Sequence, residues 1–245
     1  MRIPVSCRAV IMAGGRSERM RRTAGPLHKA LVPVLGVPLI ERNLRILLAE
    51  GFDDIVVAIS AEEAAVGRYV ENSCRALADS KGARLEIHRE EAPLGTIGAA
   101  REAIEGAEAL LVINVDNLTS LPLRSFVQFH SQQNAALTIA AHQEPFQIPF
   151  GELHLHGDCV ENYVEKPVKP IWISSGTYVL SREACTLLPR GERTNVPELV
   201  SRLLAARKHI AAFRHDCAWI DVNHAEALKK AEWLVAAADI GERYE

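Results

Sequence analysis

Two adjacent glycines, Gly14 and Gly15, follow directly on the apolar run 9–13 near the start of the chain. Because glycine lets the main chain come close to a ligand, such a turn can present backbone N–H groups to a phosphate. An isolated lysine, Lys29, stands further on in an otherwise apolar stretch. Between them lie the arginines Arg16, Arg19, Arg21 and Arg22. The segment matches neither the P-loop nor the G-x-G-x-x-G pattern. It therefore indicates phosphate binding or, equally, an ordinary turn followed by a solvated basic loop.

Carboxylates at two places in the chain could hold a divalent cation. Asp116 follows the apolar run 109–115, and Asp221 ends the segment 219–221, Trp-Ile-Asp. In parallel α/β sheets, ligand-binding groups collect at the carboxyl ends of the strands. Carboxylate oxygens are hard ligands of the kind that magnesium prefers. Spacing alone does not join two aspartates so far apart, and Asp116 could instead cap a helix or form a turn.

The stretch 90–100 combines two carboxylates with a glycine that precedes a predicted helix. Glu90 and Glu91 come first, and Gly95 and Thr96 follow. A glycine before a helix N-terminus marks a place that a nucleotide can approach. A carboxylate can accept paired hydrogen bonds from N1–H and N2–H2 of guanine, whereas uracil or thymine would favour an amide. The glutamates therefore favour GTP, and the alternative is that both are solvated surface residues.

The composition excludes several classes of protein. The chain has 245 residues, 48% of them apolar, which is enough for one large α/β domain. A net charge of −3 gives no reason to expect nucleic acid or an anionic membrane as partner. The five cysteines lack zinc-ligand spacing, as expected of thiols in a reducing cytoplasm. No apolar run reaches the length of a transmembrane span or a signal-peptide core, so a cytoplasmic protein is expected.

Short β-branched runs alternate with helical patterns in the first half of the chain. Strands are predicted at 7–13, 54–59, 84–89 and 109–115, and helices at 38–51, 61–80 and 96–106. This alternation predicts right-handed crossovers and a mostly parallel sheet. After residue 136, strands are predicted at 136–142, 151–157, 159–165 and 170–180, with helices at 196–207 and 224–238. No repeat or linker divides the chain, which predicts a single domain.

Five segments, taken in order, resemble the signatures of the sugar-1-phosphate nucleotidyltransferases. The first is "AGGRSERM" (13–20) with "HKALVPVLGVPLIERNL" (28–44), and the second is "PLGTIGAA" (93–100). The others are "INVDN", the run from "IPFGELHLHG" through "VEKPVKP" to "SSGTYVLS", and "WIDVNHAEAL". Three positions depart from the family pattern. Ser17-Glu18 and Asn223-His224 each replace Gly-Thr, and Val115 replaces a glycine before the aspartate.

The resemblance implies a Rossmann-like, mostly parallel mixed α/β sheet flanked by helices, with a β-rich insert that binds the sugar phosphate. It implies that an NTP and a sugar 1-phosphate give an NDP-sugar and pyrophosphate, with Mg²⁺ as cofactor. The implied residues are Arg19 and Lys29 for catalysis, Ala13, Gly14, Gly15, Glu91, Gly95 and Thr96 for the nucleotide, Gly151, Glu165, Lys166 and Gly176 for the sugar phosphate, and Asp116 and Asp221 for the metal. The attacking phosphate oxygen is already anionic, so positioning and charge neutralisation carry the catalysis without a general base.

One nucleotidyltransferase domain over 1–245 is expected, with a nucleotide-binding half at 1–135 and a sugar-phosphate-binding half at 136–245. The expected partners are an NTP and a sugar 1-phosphate or cyclitol phosphate, without nucleic acid or membrane, and a homo-oligomer is left open. The pattern GG-x-S-x-R-M is closer to cytidylyl- and molybdopterin-type nucleotidyltransferases, which remain an alternative. The departures at Val115 and Asn223 leave a catalytically silent nucleotide-sugar-binding regulatory protein as another.

Overall fold

The computed structural model describes residues 6–15 and 27–237. Within these ranges the strands are β1 (Cys7–Ala13), β2 (Pro33–Val34), β3 (Val37–Pro38), β4 (Asp54–Ser60), β5 (Arg84–Glu90), β6 (Ala109–Asn114), β7 (Asn117–Thr119), β8 (Leu137–Gln147), β9 (Glu152–His156), β10 (Cys159–Val164), β11 (Val168–Ser181), β12 (Ile210–Arg214) and β13 (Trp219–Asp221). The helices are α1 (Leu39–Ala49), α2 (Ala64–Tyr69), α3 (Arg75–Ser80), α4 (Ala100–Ala103), α5 (Leu123–Gln132), α6 (Arg182–Thr186), α7 (Val196–Ala205) and α8 (Ala225–Ala236). A π-helical turn, Val70–Cys74, joins α2 to α3, and a 3-10 turn spans Lys29–Leu31.

A seven-stranded sheet organises these elements, in the order β12-β8-β11-β6-β1-β4-β5. Strands β6, β1, β4 and β5 run parallel to one another. Strand β11 is antiparallel to both of its neighbours, and β12 is parallel to β8. The prediction of a mostly parallel, mixed sheet flanked by helices is confirmed. From β1 the chain adds β4 on one side and later β6 on the other, so the strand order reverses at the boundary between β1 and β6.

Strand β1 is buried on both faces because helices cover both sides of the sheet. Ala9 and Ile11 belong to one apolar core, which also contains residues of α1 and α5. Val10 and Met12 belong to a second core, to which α4 and α7 contribute. Successive side chains of a strand point to opposite faces, so an unbroken apolar run serves both cores. Strands β4 and β6 are buried in the same way.

The helix predicted over 96–106 is wrong in its extent, since only Ala100–Ala103 is α-helical. The preceding backbone makes its hydrogen bonds with another segment: Thr194 N–H donates to Leu94 O, and Ile97 N–H donates to Thr194 O. Gly95 has a φ of +80°, which a regular helix does not use. The periodic apolar pattern continued through these residues, but their partner lies far along the chain and could not be anticipated from it.

The later, β-rich part of the chain forms a projecting arm, residues 143–173. Strands β8 and β11 pair out to Gln147 and Val168, whereas β12 reaches only Ala141 on β8. Strands β9 and β10 form a separate hairpin at the far end of the arm. Large apolar side chains exposed on the arm include Phe146, Phe150, Leu153, Leu155, Val160, Tyr163, Val168, Ile171 and Trp172. The arm corresponds to the predicted β-rich insert.

Among the described residues, no helix combines the length and the apolar character that crossing a membrane would require.

Candidate active site

The predicted phosphate turn and the first predicted metal ligand lie at neighbouring strand ends. Strand β1 leads into Gly14 and Gly15, and β6 leads into Asp116 two residues after its end. The two strands pair with Met12 opposite Asn114. Their carboxyl ends therefore meet at the point where the strand order reverses. Open α/β sheets bind their ligands in the crevice at such a point.

Lys29 lies between the glycine turn and the aspartate. Its Nζ is 2.7 Å from Asp116 Oδ2. A Cβ atom built on Gly15 would lie 3.7 Å from the same Nζ. The Lys29 and Asp116 side chains are only 20% and 16% exposed, so the pair is partly shielded from water. The structure thus brings together a predicted catalytic cation, a predicted phosphate-binding glycine and a predicted metal ligand.

The second predicted metal ligand is brought to the same place by a short pair of strands. Strand β13 runs antiparallel to β7 with Asp221 opposite Asn117. Val222 N–H donates to the Asp116 carbonyl at 2.8 Å. The backbones of Asp116 and Asp221 are therefore adjacent although they are distant in the chain. Asn223 Nδ2 donates to Asp221 Oδ2 at 2.8 Å.

The helix that follows, α8, is capped by His224, whose Nδ1 accepts from Ala227 N–H at 2.9 Å. Asn223, which precedes this cap, instead donates to the Asp221 carboxylate.

The donor set fits magnesium as a partner of substrate phosphates. Within the described ranges, no three His, Cys, Asp or Glu side chains converge to form a complete protein site. Asp116 and Asp221 would supply two hard oxygens. Magnesium characteristically takes one or two carboxylates and fills its other positions with water and phosphate oxygens.

The carboxylate that reaches the glycine turn belongs to Glu90, which ends β5. Its side chain is buried, and its Oε2 accepts from Leu94 N–H at 3.1 Å. A Cβ atom on Gly14 would lie 2.6 Å from that same oxygen. Burial raises the pKa of the Glu90 carboxyl, and the hydrogen bond from Leu94 opposes the shift. Glu91, the residue chosen from the sequence, is exposed.

Gly95 and Thr96 contact the start of α7. A Cβ on Gly95 would lie 2.5 Å from Thr194 O. Thr96 N–H donates to Asn195 Oδ1 at 3.3 Å, and Thr96 Oγ1 accepts from Val196 N–H at 3.1 Å. The expectation that Gly95 opens a helix N-terminus is wrong, because α4 begins only at Ala100. Nucleotide contact by these two residues stays a prediction.

Ala13 was predicted to contact the nucleotide and Arg19 to take part in catalysis. Ala13 ends β1 with its side chain fully buried, so only its backbone can face a ligand. Arg19 lies outside the described residues.

Gly176 on β11 packs against the strand ends that carry the aspartates. Its φ is +70°, and an added Cβ would overlap Asn117 Nδ2 and lie 2.9 Å from Asn114 Nδ2. The position therefore requires glycine both for its backbone conformation and for the close approach. Of the four predicted sugar-phosphate residues, Gly176 is thus placed beside the predicted metal site.

Ser175 lies within the quoted segment SSGTYVLS but was assigned no role there, and it connects the strands of the site. Its carbonyl accepts from Asn117 Nδ2 at 2.7 Å and from Trp219 Nε1 at 2.8 Å. Its Oγ lies 2.9 Å from His142 Nδ1 and 2.8 Å from His215 Nε2. Strand β7, which follows Asp116, and strand β13, which ends at Asp221, are both held to β11 through Ser175. A buried serine inside a strand gives no sequence signal for such a role.

The other predicted sugar-phosphate residues lie on the arm. A Cβ on Gly151 would overlap the Tyr163 hydroxyl, and Tyr163 Oη donates to Glu165 Oε2 at 2.8 Å. Tyr163, which was assigned no role from the sequence, therefore joins Gly151 to Glu165. Lys166 follows with a φ of +45°, in the left-handed region that favours glycine. Glu165 and Lys166 are both exposed.

The chain is similar in sequence to known proteins. The family model described as "Nucleotidyl transferase" matches residues 8–237. The mannose-1-phosphate guanyltransferase of Yarrowia lipolytica is 27% identical over 224 residues, covering 88% of this chain and 60% of that protein. The chain spans about 60% of the length of the curated relatives it matches.

Two solved structures share the fold. HddC from Yersinia pseudotuberculosis complexed with GMP-PN is 25% identical with a TM-score of 0.70, covering 93% of this chain and 99% of that one. A putative glucose-1-phosphate thymidylyltransferase from Bacillus anthracis in complex with a sucrose is 19% identical with a TM-score of 0.71, covering 97% and 98%. These similarities agree with the Rossmann-like α/β architecture.

Replacing Gly176 with alanine should destabilise the protein more than the positive φ at this position would by itself. Gly82 has the same φ of +70° with nothing within 4 Å of an added Cβ, so Gly82→Ala is the matched control. We expect Gly82→Ala to lower the free energy of unfolding in urea by about 1 kcal/mol. Gly176→Ala should lower it by about 3 kcal/mol or more, because the overlap with Asn117 adds to the strain. Equal losses would contradict the close approach at Gly176.

Proposed function

Because the chain belongs to the nucleotidyl transferase family, we propose that it joins a nucleoside triphosphate to a sugar 1-phosphate or a similar cyclitol phosphate. The products are the nucleoside diphosphate derivative and pyrophosphate. The observation that carries the proposal is the meeting of Gly15, Lys29 and Asp116 at the ends of β1 and β6, with β13 bringing Asp221 beside them.

The proposed reaction is an in-line displacement at phosphorus. An oxygen of the sugar phosphate attacks the α-phosphorus, the bond from that phosphorus to the oxygen bridging to the β-phosphate breaks, and pyrophosphate leaves with the electron pair. The attacking oxygen is already negatively charged, so the enzyme needs to position the two anions and neutralise their charge. Lys29 supplies a cation next to the glycine turn, and Arg19, assigned from sequence, would add a second.

Asp116 and Asp221 are the residues that would hold magnesium, which when bound would neutralise charge on the triphosphate. Lys29 is within reach of both Asp116 and Gly15. The same ammonium group can therefore neutralise the carboxylate or a phosphate at the glycine turn. This placement supports Lys29 as the cation that faces the transferred phosphate.

The buried carboxylate of Glu90 supports a preference for GTP. It lies against Gly14 at the nucleotide end of the site, where a carboxylate can accept from the paired donors of guanine. A guanylyltransferase relative and a structural neighbour complexed with GMP-PN point the same way. We propose that Glu90, in place of Glu91, contacts the base.

The sugar-phosphate side of the site is assigned to Gly176 and to the arm residues Gly151, Glu165 and Lys166. Glu165 would accept from sugar hydroxyls, and Lys166 would bind the sugar phosphate. The exposure of Glu165 and Lys166 leaves both side chains accessible to a ligand.

We further propose that residues 1–245 act as one domain in the cytoplasm. Strands from both predicted halves share one sheet, which supports a single domain. The five cysteines are widely scattered in the sequence and none has zinc-ligand spacing, which supports a reducing compartment.

A substrate matrix tests the activity directly. ATP, CTP, GTP, UTP and dTTP would each be combined with mannose, glucose and heptose 1-phosphates and with inositol 1-phosphate, in the presence of magnesium. Pyrophosphate release with GTP and one of these acceptors is expected. Release with CTP alone would favour the cytidylyl alternative, and nucleotide binding without any release would favour a silent binding protein.

Asp116→Asn should reduce turnover by about 100- to 1000-fold, because it removes a charge from the site that stabilises the transferring phosphate. The exposed Asp158, in the turn of the β9–β10 hairpin, provides the charge-matched control Asp158→Asn. Steady-state pyrophosphate release measures turnover, and electron paramagnetic resonance of Mn²⁺ measures metal binding in the presence of GTP. An Asp116→Asn enzyme that turns over and binds Mn²⁺ like the wild type would refute the metal assignment.

Glu90→Gln should lower the preference for GTP over UTP by about tenfold in kcat/KM, since an amide cannot accept both guanine donors. Glu91→Gln, one position on and exposed, should leave the preference unchanged. Competing-substrate assays measure the ratio. The reverse pattern, with only the Glu91 variant affected, would return the base contact to Glu91.

Lys166→Ala should raise KM for the sugar phosphate about tenfold through loss of a charge-assisted contact, and should leave KM for the nucleotide unchanged. Lys169→Ala is the control, because Lys169 lies nearby on the arm and pairs with Glu152. If the two variants have equal KM values for the sugar phosphate, the assignment of Lys166 is wrong.

A further inference from the structure

His28 precedes Lys29 and uses both ring nitrogens to join two segments of the candidate site. The residue is only 3% exposed. Its Nδ1 accepts from Ala30 N–H at 3.2 Å, and its Nε2 lies 2.7 Å from Gly15 O. No motif in the sequence assigned it a role.

These two contacts fix the form of the ring. Because Nδ1 accepts a hydrogen bond, the ring hydrogen must be on Nε2, which then donates to the Gly15 carbonyl. The imidazole therefore caps the following turn through Nδ1 and donates a hydrogen bond to Gly15 O through Nε2. As the cap it precedes the 3-10 turn Lys29–Leu31, in which Leu31 N–H donates to His28 O at 2.9 Å.

The two segments that His28 joins carry the groups predicted to face the triphosphate. One is the glycine turn, whose Gly15 carbonyl is oriented by Nε2. The other is the 3-10 turn that begins at Lys29, whose Nζ lies close to Gly15 and 2.7 Å from Asp116. A shift of either segment would change the distance between the lysine and the glycine turn.

We propose that His28 is a positioning residue for the nucleotide: its Nε2–H holds Gly15 and the turn bearing Lys29 in fixed relation, ready for the triphosphate. The inference rests on the proposed function, because it takes the triphosphate to bind between these groups. A simple capping role is the competing explanation, and it predicts that any good capping side chain can replace the histidine.

Two conservative variants separate the roles. His28→Asn keeps an acceptor near the position of Nδ1 and is a good helix cap, but its short side chain has no donor that reaches Gly15. His28→Gln has an amide nitrogen near the position of Nε2 and can still donate to that carbonyl. Binding of GTP with magnesium would be measured by calorimetry on the full chain without sugar phosphate. KM values for GTP and sugar phosphate and the Tm would be measured in parallel.

For His28→Asn we expect GTP binding to weaken and KM for GTP to rise by about tenfold, the loss of one well-made buried hydrogen bond. KM for the sugar phosphate should stay within about twofold of wild type. His28→Gln should restore most of the GTP affinity, and the Tm of both variants should stay within about 5 °C of wild type.

The opposite results would overturn the proposal. If His28→Asn binds GTP like the wild type, or if both variants lose GTP affinity equally, the donor to Gly15 has no positioning role. A rise in KM for the sugar phosphate equal to that for GTP would indicate a general structural effect. Failure of the wild type to release pyrophosphate with any nucleotide would refute the proposed function alone, since the comparison of GTP affinities between variants does not require turnover.

Discussion

The site depends on one partly shielded ion pair, between Lys29 and Asp116, at the ends of two parallel strands. The lysine comes from a short turn and the aspartate from a loop, so neither is placed by regular structure alone. The reversal of strand order between β1 and β6 brings them to one crevice. The crevice therefore contains a positive and a negative group side by side. The Lys29 ammonium is suited to phosphate oxygens, and the Asp116 carboxylate is suited to a divalent metal.

Hydrogen bonds to Ser175 connect the later part of the chain to the Lys29–Asp116 pair. Its carbonyl receives donors from Asn117 and Trp219, and Gly176 beside it lies too close to Asn117 to carry a side chain. These contacts fix β7 and β13 against β11, and the pairing of β13 with β7 then sets Asp221 next to Asp116. The two aspartates are therefore neighbours because of main-chain pairing and close packing.

The sequence predicts the sheet well where apolar runs are continuous, as in β1, β4 and β6, because burial on both faces leaves a strong local pattern. It fails at 96–106, where the backbone pairs with residue 194, and it does not distinguish the buried Glu90 from the exposed Glu91. Such choices depend on partners distant in the chain. Short strands such as β7 and β13 escape notice because three residues carry too little pattern. The resemblance to the sugar-1-phosphate nucleotidyltransferases predicted that Asp116 and Asp221 act together. Their spacing in the sequence could not predict it.

The arm is unlike the rest of the molecule in how little of it is buried. Its large apolar and charged side chains face outward, and substitutions at exposed positions usually change stability only slightly. The turn at Gly14 and the ends of β1 and β6, in contrast, are surrounded by buried residues, and a Cβ atom on Gly14 would overlap the Glu90 carboxylate. Under the proposed function, substitutions could therefore accumulate in the acceptor-binding arm while the glycine turn stays constrained. An enzyme of the proposed kind could in this way change the sugar it accepts over evolutionary time without altering the residues that carry the phosphate chemistry.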